Sequence, residues 1–291
     1  MGQKIVLSDV VFTDTTLPVV LNDPILSNGS LFLFDPSHSL GAFDGVPSNG
    51  GTVPNIAWAE AATILGEGTS ASLSGSVSAT NPTEASKSLV ERKTKLGVHQ
   101  IISLTAQTVA NNWIVSMPTA IRDYMYTHRS DHSFYVSIWF RVTRPGIVNA
   151  SMQSPLHYAV NPGTSNYLYH AQGGTPVITG SNKRYAPALA DSSVSAGQEK
   201  FLNMNPSGIT GTGPTNSTDV RFGLGNFDSW QSSNLNKTSS RVIYRVYIED
   251  LTVSGRSYAA VDALDYALFQ AAFASGGKFY GDTYTNPSTI P

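Results

Sequence analysis

Residues 241–253 read RVIYRVYIEDLTV, and residues 254–273 continue as SGRSYAAVDALDYALFQAAF. The first stretch is rich in Val, Ile and Tyr, which fit a pleated, partly buried surface, so it predicts a strand. The second stretch has apolar residues at helical spacing and predicts a helix with one apolar stripe. The residues of that stripe are Val261, Leu264, Leu268 and Ala271. Together the two stretches indicate a β-rich domain that is closed by a docking helix.

A second stretch, SFYVSIWFRVT at 133–143, has the clearest strand pattern in the chain. Every other residue is apolar, which is what the inward face of a β-sandwich requires. These inward residues are Phe134, Val136, Ile138, Phe140 and Val142. Trp139 falls on the opposite face, where we expect it to pack under a covering loop.

Turn residues and composition divide the chain into four segments. Residues 1–52 are apolar only in short bursts and are expected to form an N-terminal arm that attaches to other subunits. Residues 53–88 are interpreted as a short helix and a Ser/Ala/Gly-rich linker. The sandwich is predicted over residues 89–275, and residues 276–291 form a C-terminal tail. The further predicted strands are Ser30–Phe34, Val98–Leu104, Leu156–Val160, Tyr167–Ala171 and Val220–Leu224, and the further predicted helices are Asn55–Leu65 and Pro118–Thr127.

Composition excludes several classes of partner and chemistry. Charged residues make up 13% of the chain, about half of the usual share of roughly 25%. The net charge of −2 gives no general attraction to nucleic acid or to an anionic membrane. The chain has no cysteine, so disulfides, thiolate metal sites and cysteine nucleophiles are excluded. No apolar run has the length of a membrane span or of a secretory signal, so neither membrane insertion nor export by a signal peptide is predicted.

The common catalytic motifs are also missing from the sequence. It has no E-x-D-x-E strand of the kind found in glycosidases, no G-x-S-x-G, no phosphate-binding loop and no H-E-x-x-H. Glu249 and Asp250 are adjacent, so on a continuing strand they would point to opposite faces. We interpret them as structural residues that bind backbone amides at the turn between strand and helix. The sequence therefore predicts no catalytic residues and no cofactor.

Two histidines have the spacing of a metal site. His128 and His132 are four residues apart, which places both rings on one face of a helix, and Asp131 could serve as a third ligand. The surrounding sequence, THRSDH at 127–132, predicts a turn that leads into a strand, where the two rings need not converge. We interpret the group as a polar surface turn and predict no metal.

Several aromatic residues could form a platform for stacking sugars, because their rings offer a flat apolar face with a polar tip. The candidates are Trp139, Trp230, Tyr167 and Tyr169. Packing under loops is the favoured interpretation for the tryptophans.

Three features together resemble a known group of proteins. The strand at 133–143 and the closing strand, acidic pair and helix at 241–273 resemble laminin-G-like, concanavalin-A-type β-sandwiches. Residues 28–58 and the ending GGKFYGDTYTNP at 276–287 are similar to structural proteins of tailed bacteriophages that carry such a domain. The resemblance implies a mainly β fold: an antiparallel concanavalin-A-like sandwich (jelly roll) with an N-terminal arm and a short C-terminal helix. The calcium site of some family members is not expected, because no D-x-D run is present.

The resemblance also implies a function. It predicts a non-enzymatic structural protein of a tailed phage particle, in the tail, the collar or a fibre-like appendage, assembled in the host cytoplasm. Its expected partners are other virion proteins and sister subunits in a homo-oligomer, with a trimer suggested by analogy. A carbohydrate-binding receptor module on the same fold remains an alternative, and its partner would be a host surface glycan. A polysaccharide-degrading enzyme and a head decoration protein are the remaining alternatives.

Overall fold

The alternating patterns of the sequence correspond to a mainly antiparallel β structure. The computed structural model describes residues 23–128, 131–147, 156–161, 166–171, 182–185, 192–196, 219–225 and 235–291. Its strands are β1 (Ser30–Phe34), β2 (Thr52–Val53), β3 (Gly75–Thr80), β4 (Ser88–Glu91), β5 (Val98–Ile102), β6 (Asn112–Ser116), β7 (Phe134–Arg144), β8 (Leu156–Asn161), β9 (Asn166–Ala171), β10 (Asn182–Tyr185), β11 (Ser192–Ala196), β12 (Asp219–Gly225) and β13 (Ser240–Asp250). Its helices are α1 (Trp58–Leu65), α2 (Thr119–Thr127), α3 (Leu251–Ser254) and α4 (Tyr258–Phe273), and a 3₁₀ turn follows at Pro287–Thr289.

The strands form two sheets. Sheet A has the order β10-β11-β7-β13-β5-β4, and β1 also pairs with β13; sheet B has the order β2-β3-β6-β12-β8-β9. The described strands of both sheets pair antiparallel. β13 is the central strand of sheet A, because it borders β7 along one edge and β5 followed by β1 along the other.

The main core lies between the two sheets. The rings of Phe34 from sheet A and Phe222 from sheet B are 4.9 Å apart between centroids. The inward residues that the sequence predicted for β7, from Phe134 to Phe140, are buried in this core. Two antiparallel sheets that enclose one apolar core are consistent with a β-sandwich.

Helix α4 forms a third layer on the outer face of sheet A. The hydroxyl oxygen of Ser257 accepts a hydrogen bond from the amide of Ala260 and caps the start of the helix. The buried face differs from the predicted stripe, since Leu264 and Leu268 are only partly buried and Ala271 is exposed. The helix residues that are buried are Val261, Asp262, Asp265, Phe269, Ala272 and Phe273. The helix therefore buries two carboxylates together with its apolar residues.

The last residues of the chain, 276–291, extend the third layer and are called here the C-terminal strap. Asp282 accepts hydrogen bonds from the hydroxyls of Thr94 and Tyr244, at 2.5 and 2.8 Å. The carbonyl of Pro291 accepts a hydrogen bond of 2.9 Å from the amide of Leu104. The segment expected as a tail is thus bound to the sandwich along its length.

Two other expected segments are also part of the sheets. All five residues of β1 are buried beside β13, so residues 23–52 are not a separable arm; residues 1–22 lie outside the described residues. Residues 69–88, expected as an exposed linker, contain β3, which pairs with β2 and β6. The first position of β3 requires glycine, because a Cβ atom on Gly75 would lie 2.6 Å from a methyl carbon of Val115.

Candidate functional site

Asp250 connects the end of the central strand to two separate parts of the fold. Its Oδ1 accepts hydrogen bonds from the amides of Thr252 and Val253, at 2.9 and 3.1 Å, and caps α3. This is the backbone-amide role that the sequence suggested for the acidic pair. Its Oδ2 accepts a hydrogen bond of 2.9 Å from the hydroxyl of Tyr124 and lies 2.5 Å from Nδ1 of His132. The side chain of Asp250 is fully buried, so these partners supply the polar contacts that a buried carboxylate requires.

Glu249 binds side chains in place of backbone amides. Its carboxylate accepts hydrogen bonds of 2.9 Å from the hydroxyls of Ser27 and Tyr247, and it forms an ion pair with Arg256. Burial and the charge of Glu249 raise the pKa of Tyr247, so this hydroxyl remains a donor. Glu249 thus fixes the chain before β1 and the loop before α4 to the end of β13.

His128, Asp131 and His132 lie close together next to Asp250 and are called here the histidine cluster. His128 ends α2, and its carbonyl accepts a hydrogen bond of 2.9 Å from the amide of His132, four residues later. The two ring centroids lie 4.2 Å from each other. Nδ1 of His128 lies 3.3 Å from Oδ2 of Asp131. The rings therefore converge, although the sequence alone did not require it.

The three side chains of the histidine cluster could hold a metal ion. One potential ligand atom from each residue lies within 4.8 Å of the other two. Since Asp250 occupies Nδ1 of His132, the Nε2 atom of that ring is the one left for a ligand. Burial and the Asp250 carboxylate raise the pKa of Tyr124, so its hydroxyl keeps donating to Asp250 and helps to fix that carboxylate.

Trp139 lies beneath α4, not on an exposed platform. It is 1% exposed, and its ring meets that of Phe269 edge-on, with 5.6 Å between centroids. Its Nε1 donates a hydrogen bond of 3.4 Å to Asp265, which also accepts one of 3.0 Å from the hydroxyl of Tyr135. The guanidinium of Arg245 is 4.8 Å from the centroid of the Trp139 ring. The covering element is thus a helix, where the sequence suggested a loop.

A buried ionic network surrounds Arg245. Both terminal nitrogens of Arg245 donate hydrogen bonds of 2.7 Å to Asp23, and one also lies 3.2 Å from Asp35. Asp35 in turn accepts a hydrogen bond of 2.7 Å from Lys278 of the C-terminal strap. Burial by itself would lower the pKa of Arg245, but the bonds and charges of the two aspartates raise it above its ordinary value. No local sequence pattern links Asp23 with Arg245, because they are 222 residues apart.

A cavity of about 480 Å³ opens beside this network. Its lining residues are Asp23, Pro24, His38, Trp139, Arg245, Leu268, Ala271, Ala272 and Lys278. The charged groups at its wall are neutralised by one another, because Arg245 pairs with Asp23 and Lys278 pairs with Asp35. The wall of the cavity is mainly apolar.

In the described part of the chain, the candidates for sugar stacking lie on strands of different sheets. Tyr167 and Tyr169 lie on β9, at the edge of sheet B, opposite Ala159 and Tyr158 of β8. Trp139 is on sheet A, under α4. Trp230 lies outside the described residues.

Comparison with known proteins gives no relative. No protein-family model, no curated protein and no solved structure matches this chain. Among the described residues, no helix combines the length and the apolar character that a bilayer crossing requires.

Proposed function

We propose that this chain is a non-enzymatic structural protein of a tailed bacteriophage particle, built on a concanavalin-A-like, laminin-G-like sandwich. The tail, the collar or a fibre-like appendage is its proposed location, in a particle that assembles in the host cytoplasm. One observation carries the proposal. The two segments with the family resemblance, 133–143 and 241–273, lie side by side as β7 and β13, with α4 packed across them. Segments that are far apart in the sequence thus form one contiguous unit.

The bonds of the acidic pair support a structural role over a catalytic one. Glycoside hydrolysis requires two carboxyl groups that face the substrate. Glu249 and Asp250 are both fully buried, and hydrogen bonds within the turn occupy their oxygens. We therefore assign them to holding β13, α3 and the loop before α4 together.

The carbohydrate-binding alternative has less support. Stacking on a sugar requires an exposed aromatic face, and Trp139 is buried under α4. The alternative then depends on Trp230, Tyr167 and Tyr169. Incubation with host surface polysaccharide tests it: saturable binding that is weakened by Trp230→Ala would favour the receptor module. Release of reducing ends that is abolished by Glu249→Gln would instead favour an enzyme.

Attachment to the particle is assigned to the start of the chain. Because β1 is fully buried and pairs with β13, we expect removal of residues 1–52 to break the fold, whereas removal of residues 1–22 takes away no residue of a described strand. We propose that this segment binds other virion proteins or sister subunits of a homo-oligomer, with a trimer as the suggested form.

The test uses particles produced from the genome that encodes the chain. We expect the full-length chain in purified particles, detected by mass spectrometry and located by electron microscopy. The chain without residues 1–22 should keep the circular dichroism spectrum and the melting temperature of the parent but be lost from particles. Normal incorporation of the shortened chain would contradict the attachment role. Absence of the full-length chain from the particles would contradict the proposed function as a whole.

A further inference from the structure

We propose that His128, Asp131 and His132 bind a divalent transition-metal ion of the zinc class at the end of the sandwich where β13 finishes. The potential ligand atoms, one per residue, all lie within 4.8 Å of one another. Ligands of a tetrahedral zinc ion, with bonds of about 2.0–2.1 Å, stand about 3.4 Å apart. Formation of the site requires side-chain rotations that bring these ligand atoms closer together.

A backbone hydrogen bond holds the two histidines close together. His132 donates its amide hydrogen to the carbonyl of His128, four residues earlier in the sequence. In a helix, a hydrogen bond between residues four apart accompanies side chains that lie on one face. The ring centroids are accordingly 4.2 Å apart, and Asp131 is close enough to His128 for a contact of 3.3 Å.

Asp250 provides an independent observation that points to a metal ligand. Its Oδ2 lies 2.5 Å from Nδ1 of His132, and Tyr124 donates to the same oxygen. A histidine that ligates a metal with one nitrogen usually donates the other N–H to a carboxylate, which fixes the ring and increases the basicity of the ligand nitrogen. The buried Asp250 holds His132 in this way, with Nε2 left as the ligand atom. Asp250 is therefore a positioning residue of the proposed site.

The donor set determines the class of metal. Two imidazole nitrogens and one carboxylate oxygen suit Zn²⁺ and its neighbours in the transition series, whereas Ca²⁺ and Mg²⁺ prefer oxygen ligands throughout. Three protein ligands leave at least one coordination position for water or for a group from another molecule. The side chains of His128 and Asp131 are 31% and 62% exposed, so that position faces solvent.

The experiment measures Zn²⁺ binding to the full-length chain after treatment with a chelator and dialysis. We expect calorimetric titration with zinc chloride to show one saturable equivalent. His128→Ala and Asp131→Asn should each weaken binding by about tenfold or more, because each removes one of three ligands. His38→Ala removes a partly exposed imidazole outside the cluster and should leave the affinity unchanged.

Asp250→Asn tests the positioning role separately. Asparagine caps a helix about as well as aspartate, so the variant keeps the cap of α3 and should remain folded by circular dichroism. Loss of a carboxylate that orients a ligand typically weakens metal binding by about 10–100-fold. Zinc affinity that is unchanged in His128→Ala and Asp131→Asn would overturn the proposal. Absence of saturable binding, or binding of Ca²⁺ as tight as that of Zn²⁺, would overturn it as well.

Discussion

Glu91 of β4 accepts two hydrogen bonds from Thr285, one from the amide and one from the hydroxyl, and both are 2.7 Å long. Nδ1 of His99 lies 2.9 Å from the same carboxylate. These contacts join the C-terminal strap to the edge strand of sheet A. Burial opposes ionisation of Glu91, but the bonds from His99 and Thr285 outweigh it and lower the pKa from 4.5 to about 2.

The lowered pKa of Glu91 predicts an acid-dependent loss of stability. Between pH 4.5 and 2 the unfolded chain binds a proton at this residue that the folded chain does not, so acid favours unfolding. We expect Glu91→Gln to be less stable than the parent at neutral pH, and the difference to shrink as the pH falls from about 5 to about 2. Urea denaturation at a series of pH values measures it, with the exposed Glu67→Gln as control. A difference that does not depend on pH would refute this account of Glu91.

Phe140 tests the core between the sheets. Its side chain is fully buried, and truncation of a buried Phe to Ala typically costs about 3–5 kcal/mol. We expect Phe140→Ala to lower the free energy of unfolding in urea by that amount. Tyr280→Ala serves as the control, because Tyr280 is 56% exposed and should change stability little. Equal stability of the two variants would show that the inward face of β7 is assigned wrongly.

Gly75 tests whether β3 is a packed strand. A Cβ atom at this position would lie 2.6 Å from Val115 and 3.0 Å from Val53. Overpacking of this kind costs typically about 1–3 kcal/mol. We expect Gly75→Ala to lower the melting temperature, whereas Ser76→Ala, at an exposed position of the same strand, should not. If the two variants melt alike, residues 69–88 behave as the linker that their composition suggested.

Among the described residues, three carboxylates lie around Arg245 and Lys278 in the buried ionic network. Arg245 and Lys278 are balanced by Asp23 and Asp35, and Asp265 is the third carboxylate. Burial raises the pKa of Asp265, although the charge of Arg245 opposes the shift. The folded state therefore favours the protonated form of Asp265, and stability from this residue is lost as the pH rises above its ordinary value of 3.8.

Two matched substitutions distinguish Asp23, which pairs with Arg245, from Asp265, whose charged form is disfavoured by burial. Asp265→Asn removes the cost of burying a charge at neutral pH, so we expect stability within about 1 kcal/mol of the parent or above it. Asp23→Asn breaks the paired contact with the buried Arg245 and should cost about 3–5 kcal/mol. Guanidinium denaturation at pH 7 compares them. A larger loss of stability for Asp265→Asn than for Asp23→Asn would show that Asp265, and not Asp23, is the main partner of Arg245.

Local patterns predicted the long elements well. The alternation in residues 133–143 gives β7 and its inward face, and Gly66 ends α1 in the left-handed conformation that glycine favours. Asn55 shows the limit of such reasoning. An Asn at the start of a predicted helix commonly caps it, but α1 begins only at Trp58, and the Asn55 side chain accepts a hydrogen bond from the amide of Leu33 and so binds β1. A capping residue and a residue that fixes a distant strand have the same local sequence.

The candidate site was less predictable because its partners come from distant parts of the chain. The spacing of His128 and His132 is visible in the sequence, but the carboxylate that orients His132 is Asp250, 118 residues away. Asp265 is likewise buried close to the charge of Arg245. No sequence motif links these two residues. The sequence does not predict β3, because Ser, Ala and Gly have low strand propensity. The strand forms because it pairs with β2 and β6.

The place of β13 near the end of the chain has a consequence for protein synthesis. Ser30 of β1 pairs with Glu249 of β13, and at about 5–20 residues per second a ribosome takes roughly 10–40 s to travel from one to the other. During that time the nascent SLFLF segment lacks the strand that it pairs with in the finished fold. Exposed apolar segments with unpaired backbone groups are prone to aggregate or to bind chaperones. Sheet A is therefore completed only after translation has passed residue 250, and until then β1 has no partner strand on the nascent chain.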